Sequence, residues 1–358
     1  MIRRRKTRQV NVGSVAVGGD APVSVQSMTT TDTRDAEATV AQIRALEAAG
    51  CEIVRVAVPD EDAARALPDI KAGISIPLVA DIHFHHELAL TAVDAGVDGL
   101  RINPGNIGKR DRVEQVVRAC AKRKIPIRIG VNSGSLEKPL LKKHGGPTPE
   151  AMVESALSHV KILEDLDFYD IKVSLKASDV ERTVEANRLF AARNDIPLHL
   201  GVTEAGTQYA GTIKSAIGLG ILLAQGIGDT IRVSLTGDPA PEVRAGFEIL
   251  KSLGLRRRGI HFVSCPNCGR LEGEILEVVE ALEVELADVD APFHLAVMGC
   301  SVNGPGESRE AEVGVIAAPD DQFLIYKDGK FLRKLPRAQV VREVTEMVRE
   351  MYAKESEK

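Results

Sequence analysis

Tryptophan is absent from this chain, and Phe and Tyr are so sparse that aromatics make up only 3% of its 358 residues. Any core must therefore be aliphatic. No apolar run approaches the ~20 residues that a membrane-spanning helix needs, so no membrane partner is expected. Positive charge is not in excess either: 46 Lys and Arg stand against 51 Asp and Glu, a formal net charge of −5. Nucleic acid as the main partner is excluded on that ground, because such binding draws on a basic surface. No Gly-x-Gly-x-x-Gly follows the first strand-like run, so the fingerprint of a dinucleotide fold is missing. The stretch Met1-Ile2-Arg3-Arg4-Arg5-Lys6 is basic but no apolar segment follows it, unlike a secretory signal. Its charge is expected to mark a solvated first strand. Cysteines number five, few and odd, which fits a reducing cytoplasm and metal ligation better than disulfides.

What is present is a repeat. Hydrophobic residues at 44% and charged residues at 27% are those of a soluble globular protein. Eight short apolar, mostly β-branched runs recur at residues 23–28, 52–58, 77–83, 99–103, 126–131, 170–176, 197–204 and 230–235. Helical patterns separate them, among them 36–49, 112–124, 149–166, 180–193 and 212–225. Pro149 and Pro241 stand where helices begin, and Gly50, Gly96 and Gly226 where they end. Eight strand–helix units predict an α/β fold, a (β/α)8 TIM-type barrel over residues 1–253. Residues 254–259 read as a linker. The remaining 260–358 predict a small α+β domain, with a hairpin at Asp328-Gly329 and a terminal helix over 337–353.

Two loops in the second domain hold three of the five cysteines. Cys265-Pro266-Asn267-Cys268 places two thiols three positions apart, and Gly299-Cys300-Ser301 supplies a third, followed by Glu307 beyond a Gly/Pro-rich turn. A zinc ribbon can begin with such a Cys-x-x-Cys loop, but it usually supplies a second pair. Three thiolates plus one weaker ligand suit a [4Fe-4S] cluster with one iron kept available for chemistry. Spacing alone leaves both metals open.

In a barrel of this type, polar residues at the C-terminal strand ends line the active site. Here these are Arg55, Asp81, His83, Arg101, Asn103, Arg128, Asn132, Lys176, Glu204, Arg232 and Ser234. Residues two apart share a strand face, so Asp81 goes with His83, Arg101 with Asn103, and Arg232 with Ser234. Four arginines and a lysine converging on one mouth would repel unless an anion sat among them, and guanidinium forks match phosphate oxygens. A small phosphate ester is the implied substrate. Other readings exist for single residues: Asp81 and His83 as a divalent-metal pair, or Lys176 as a Schiff-base amine. Cys120 falls in a helical pattern and is expected in the core.

The motifs that carry these residues resemble a known family. They are Val25-Gln26-Ser27-Met28-Thr29, Asp81-Ile82-His83, Arg101-Ile102-Asn103-Pro104-Gly105-Asn106, Arg128-Ile129-Gly130-Val131-Asn132, Lys172-Val173-Ser174-Leu175-Lys176, Gly201-Val202-Thr203-Glu204 and both cysteine loops. Together they resemble the two-domain bacterial 4-hydroxy-3-methylbut-2-enyl diphosphate synthases of the methylerythritol phosphate route to isoprenoids. The resemblance implies 2-C-methyl-D-erythritol 2,4-cyclodiphosphate as substrate, bound by the arginine-rich mouth. It implies a [4Fe-4S] cluster on Cys265, Cys268, Cys300 and Glu307, with flavodoxin or ferredoxin as electron donor. Glu204, by its place on the seventh strand, is the expected general acid.

The order of elements also bears on assembly. A helix over 241–253 would run ~20 Å away from the mouth at 1.5 Å per residue. The second domain then starts at the far end of its own barrel, and a head-to-tail homodimer would bring each cluster to the partner's mouth. Two other classes remain in play: a zinc-stabilised barrel aldolase using Lys176, and a non-catalytic iron–sulfur sensor.

Overall fold

The protein is described from a computed structural model, which covers residues 2–83, 85–103, 110–266, 268–290 and 292–356. Most of the turn expected after Asn103 lies outside these residues, as does Asn267 of the first cysteine loop. The chain divides into two compact units, Met1–Arg256 and Arg257–Lys358.

The first unit opens with a hairpin of β1 (Val10–Val12) and β2 (Val15–Val17), turned at Gly13 with φ of +55°. Eight parallel strands follow: β3 (Ser24–Met28), β4 (Ile53–Ala57), β5 (Leu78–Asp81), β6 (Gly99–Ile102), β7 (Ile127–Asn132), β8 (Ile171–Lys176), β9 (His199–Leu200) and β10 (Thr230–Ile231). Their order is β8-β7-β6-β5-β4-β3-β10-β9. A parallel bridge between Val173 and Leu198 joins β8 to β9 and closes the barrel. The expected fold class is therefore observed.

The connecting helices are α1 (Ala36–Ala48), α2 (Glu61–Ala72), α3 (His86–Asp94), α4 (Arg110–Arg123), α5 (Lys138–His144), α6 (Pro149–Glu164), α7 (Val180–Ala191), α8 (Gln208–Ala224) and α9 (Ala240–Ser252). Their starts are chemically marked. Asp35, Asp60, Thr148 and Asp179 each accept a hydrogen bond from a first-turn amide, which satisfies donors the helix cannot. Gly50, Gly96 and Gly226 follow α1, α3 and α8 at φ between +77° and +96°, the left-handed step that stops a helix.

Alternation along each strand sorts the two faces. Val54, Val56, Leu78, Ala80, Leu100, Ile127, Ile129, Val173 and Leu175 point outward into one aliphatic core with the helices, as does Cys120. The barrel floor is apolar at one side, where Val10, Val12 and Val17 of the hairpin pack on Ile53 and Val79. The basic start is not a solvated strand. Arg4 pairs with Asp229 at 2.9 Å, and Arg5 donates to the carbonyls of Asn194 (2.5 Å) and Ile196 (2.7 Å). Carbonyls left unpaired where strands begin attract these guanidinium groups, so the segment caps the floor.

The second unit is a five-stranded sheet, β11 (His261–Ser264), β12 (His294–Met298), β13 (Val313–Ala318), β14 (Gln322–Lys327) and β15 (Lys330–Pro336), in that spatial order. The first three strands are parallel and the last three antiparallel. Helices α10 (Leu276–Glu285) and α12 (Arg337–Ser356) cover it, with Leu282, Phe323, Ile325, Val340 and Val344 at the core. Asp328 (φ +48°) and Gly329 (φ +73°) make the expected tight turn. The Gly/Pro-rich stretch after Cys300 is not only a turn. It forms a short helix, α11 (Gly304–Glu310), with Pro305 in the first turn, where a missing amide costs nothing.

Candidate active site

Six barrel strands contribute charged side chains to the C-terminal mouth. Asp81, the last residue of β5, is buried and accepts from the Arg101 guanidinium at 2.9 Å. Arg55 Nε lies 3.4 Å from the other carboxylate oxygen, and His83 Nε2 lies 3.4 Å from the first. Arg101 also reaches His83 Nε2 at 2.9 Å. Asp81, His83, Arg101 and Arg55 thus form one network, with His83 half in solvent. Asp81 is already held by two guanidiniums, so the pair it makes with His83 is not an open cation site.

Arg128 on β7 donates to Ser174 Oγ of β8 at 2.8 Å. Arg232, just past β10, lies 3.5 Å from Glu242 and 3.7 Å from Met28 Sδ. Arg55 donates to the same sulfur from Nε at 3.1 Å and from Nη2 at 2.8 Å. A thioether is a weak acceptor, so these two guanidiniums are poorly compensated. Lys176 ends β8 and is buried. Asn103 is buried just beyond β6, Asn132 ends β7, and Ser234 follows Arg232; both Asn132 and Ser234 are half-buried. Glu204 is exposed in the loop after β9 and takes φ of +52°, a strained setting for a non-glycine residue.

The electrostatic balance is one-sided. Five cations (Arg55, Arg101, Arg128, Lys176, Arg232) meet two carboxylates, Asp81 and Glu242. Burial would raise the Asp81 carboxyl, but Arg55, His83 and Arg101 together hold it far below the usual carboxylate range. Burial, aided by Arg232 and Arg101, pushes Arg55 down to about 10 against the pull of Asp81. Burial and then Arg55 and Arg101 push Arg128 well down, and burial with Arg128 and Arg232 does the same to Lys176. Guanidiniums do not readily shed protons; the downward push is the cost of burial with mutual repulsion added, and an anion would relieve the second. Arg101 Nε and Arg128 Nε and Nη2 are buried without hydrogen-bond partners among the described residues. They are donors awaiting an acceptor.

Two glycines that the sequence reading passed over make room for these groups. A Cβ on Gly130 would lie 2.5 Å from Arg101 Nε, and one on Gly201 would lie 2.6 Å from Lys176 Nζ. Met28, Ser174 and Glu242 were also missed as partners. Gly130 stands two residues after Arg128, and Gly201 two after His199, so strand alternation alone could have put them on the inner face.

In the second unit, β11 and β12 are parallel neighbours with Ser264 opposite Val297. Both cysteine loops therefore leave the same sheet end. Gly299 N donates to Cys265 Sγ at 3.1 Å, and Glu272 ties the loops by accepting from Ser301 Oγ at 2.7 Å. A side chain at Gly299 would strike Leu271 and Cys265 Sγ. Cys300 is buried, Cys265 half-buried and Cys268 exposed, and all are free thiols. Hydrogen bonds from the Arg270 backbone and side chain lower the Cys268 thiol toward its thiolate, the form that ligates metal. Glu307 is exposed in the first turn of α11. Among the described residues no three of His, Cys, Asp or Glu are gathered around a single ion position. An iron–sulfur cluster is larger than an ion and sets its thiolates further apart, so three thiols and a carboxylate at one sheet end fit it by donor chemistry.

A family model described as the GcpE TIM-barrel domain matches residues 7–247, and one described as the GcpE protein C-terminal domain matches residues 261–350. The chain belongs to the GcpE family. Curated relatives of this GcpE chain are similar along their whole length. One from Geobacter sulfurreducens is 63% identical over 335 residues, covering 94% of this chain and 95% of that one. One from Azotobacter vinelandii is 58% identical over 355 residues, covering 99% and 96%. A third, from Geobacillus thermodenitrificans, is 55% identical over 362 residues, covering 100% and 96%. Each is named 4-hydroxy-3-methylbut-2-en-1-yl diphosphate synthase (flavodoxin). Among the described residues of the GcpE chain, no helix is long and apolar enough to cross a membrane.

Proposed function

We propose that this protein converts 2-C-methyl-D-erythritol 2,4-cyclodiphosphate into 4-hydroxy-3-methylbut-2-enyl diphosphate and water, with two electrons from flavodoxin. The observation that carries the reading is the surplus of buried, partnerless guanidinium donors at the barrel mouth, which calls for a multiply charged phosphate. One ring carbon–oxygen bond and one hydroxyl carbon–oxygen bond break, and a carbon–carbon double bond forms between the two carbons. Two electrons and two protons balance the change.

Arg55, Arg101, Arg128, Lys176 and Arg232 hold the diphosphate oxygens, with Asp81 keeping Arg55 and Arg101 in place. His83, Asn103, Asn132 and Ser234 complete the rim. Glu204, exposed at the rim with a left-handed φ, gives a proton to the departing hydroxyl. Cys265, Cys268, Cys300 and Glu307 hold a [4Fe-4S] cluster, which when bound supplies electrons one at a time and an iron open to oxygen. A carboxylate ligand is the donor most readily given up by such an iron.

The working form is a head-to-tail homodimer in the cytoplasm, where five free thiols and a soluble donor protein both belong. Two features support the dimer. Arg256, the last residue of the first unit, donates to the Val23 carbonyl at 2.8 Å and to Glu52, both just ahead of strand starts, so the chain leaves the barrel at its floor. Helix α8 also shows Tyr209, Ile213, Ile217 and Ile221 in an exposed stripe, with Tyr209 81% exposed. Such an exposed apolar stripe suits a contact with the same stripe of a second copy.

The test is direct. Anaerobically reconstituted protein with reduced flavodoxin should turn the cyclic diphosphate into the linear product. Protein with iron and sulfide fully loaded that yields none would overturn the reading.

A further inference from the structure

The lumen of a (β/α)8 barrel is normally packed with bulky aliphatic side chains. In this barrel one side of the lumen, beneath the mouth, is polar. Val23, Val25, Leu198, Leu200, Ile231, Val173 and Leu175 face the outer core, so alternation turns Ser24, Gln26, His199, Thr230, Lys172 and Ser174 inward. Ser24 and Thr230 hydroxyls bond to each other at 2.9 Å. The other long side chains find nothing. Lys172 is 3% exposed and His199 is 0% exposed; Lys172 Nζ, both His199 ring nitrogens and both Gln26 amide atoms lack hydrogen-bond partners among the described residues.

The register orders these groups from floor to mouth. Lys172 lies opposite Arg128, and the Val173–Leu198 bridge sets His199 one step further along than Lys172. Lys176 comes next, against Gly201. The charged and titratable groups facing Lys172 are Arg128 on β7, Lys176 on its own strand, His199 on β9 and Asp229 at the entry to β10. Asp229 is the one carboxylate among them, and it is spent on Arg4 (2.9 Å), Thr7 (3.1 Å) and the Leu198 amide (2.9 Å). An ammonium placed there has no acceptor and only the shared charge of Asp229, and burying it charged is costly.

We propose that Lys172 is a proton-uptake site of the barrel, neutral at rest and loaded when an anion fills the arginine-lined mouth. The inference rests on the reading of that mouth as a phosphate site. Burial holds Lys172 toward its neutral form and Arg128 adds to it; an anion above Arg128 offsets that second push, so binding draws a proton from solvent onto Nζ, and the bound state carries one more positive charge below the substrate. The resting group fits this role: burial, then Arg128, bring it from 10.5 to about 7.

The sign is fixed by linkage. A group protonated more in the complex than in the free protein makes affinity rise as pH falls, between its bound and free values, by up to about tenfold per pH unit. Above about pH 7 the wild type should therefore lose anion affinity with rising pH, and should level off below about pH 6.

The experiment measures proton uptake on binding by the reconstituted holoenzyme, by calorimetry in two buffers of different ionisation heat. Two ligands are used: the cyclic diphosphate, and inorganic sulfate, which does not titrate in this range. Wild type at about pH 8 should take up a proton per site with either. Lys172→Met should lose that uptake and its slope, keeping only what Lys176 contributes. Lys172→Arg, charged at every pH, should bind at pH 8 as wild type does at pH 6, again without uptake. No uptake by wild type, or equal uptake by wild type and folded Lys172→Met, overturns the proposal. Lys172-dependent uptake with sulfate but no binding of the cyclic diphosphate sinks the substrate assignment and leaves the inference standing.

Discussion

Gly130 lies against the guanidinium of Arg101: a methyl group on its Cα would stand 2.5 Å from Nε and 2.9 Å from Nη2. The position is tight because Arg101 of β6, paired with Asp81 on β5, lies over Gly130 of β7 on its other side. Gly130 does not have a left-handed φ, so alanine is conformationally acceptable there and the clash is the whole effect. Gly130→Ala should displace Arg101 and weaken cyclic diphosphate binding by about 10- to 100-fold, the loss of one charge-assisted bond of roughly 1.5–3 kcal/mol. Turnover at saturation should change less. A variant with wild-type KM would show that Arg101 does not touch the substrate.

Glu204 separates binding from chemistry. Glu204→Gln keeps the side-chain shape but cannot deliver a carboxylic proton, so kcat should fall by about 100-fold or more with KM nearly kept. Near-normal turnover would remove Glu204 from the acid role. Glu204→Gly should relieve the positive φ, worth about 1 kcal/mol, and keep or raise the melting temperature while turnover is lost.

The three thiols and the carboxylate should not behave alike. Cys265→Ser, Cys268→Ser and Cys300→Ser should each abolish the visible absorption of anaerobically reconstituted protein, with iron and sulfide lost together. Glu307→Ala should keep most of the iron and sulfide and lose turnover. Stoichiometric zinc without sulfide in the wild type would contradict the cluster assignment.

Folding stability should carry its own mark of Lys172. Its value in the folded barrel, about 7, lies below the 10.5 of an ordinary lysine. Between those limits the unfolded chain binds more protons than the folded one, so stability rises with pH across that window. Lys172→Met removes this term. The variant should melt higher than wild type at about pH 6, with the gain shrinking as pH rises toward 10 (denaturant midpoints read the same difference). An unchanged difference across that range would mean that folded Lys172 keeps its proton as an ordinary lysine does, charged and paired throughout.

Assembly can be tested by complementation. Glu204→Gln and Cys265→Ser, each inactive alone, should recover part of wild-type activity when co-expressed as a mixed dimer, since one site then has a sound barrel and a sound cluster unit. A verified mixed dimer without activity would show each chain closing on its own barrel. Ile217→Glu, in the exposed stripe of α8, should give monomers in sedimentation and leave the cluster loaded.

Much of this organisation is visible in the sequence because a strand imposes period two. Arg55, Asp81, Arg101, Arg128 and Lys176 all lie on strands with aliphatic neighbours on either side, and the structure gathers Arg55, Asp81, His83 and Arg101 into one network. Period two says which face a residue takes and nothing about depth. Lys172 and Lys176 have the same parity on β8, yet one serves the mouth and the other lies below it. Glycines 130 and 201 were opaque for a related reason: their value is the side chain they lack, which depends on a neighbouring strand. The short helix α11 hid behind Gly and Pro, which read as a turn unless Pro305 is recognised as a first-turn residue. Arg4 and Arg5 looked like solvated charge because their partners lie so far along the chain.

That distance has a kinetic side. Arg5 bonds to Asn194 and Ile196, 189 and 191 positions away, and Arg4 bonds to Asp229, 225 positions away. A chain that emerges from the ribosome in sequence order holds these two arginines without partners until almost the entire barrel has followed. The floor is thus completed after the walls, by the segment made before them. Contacts of such long sequence separation slow folding, and an open-floored barrel with its β9 and β10 edges unpaired is the intermediate that chaperones would meet.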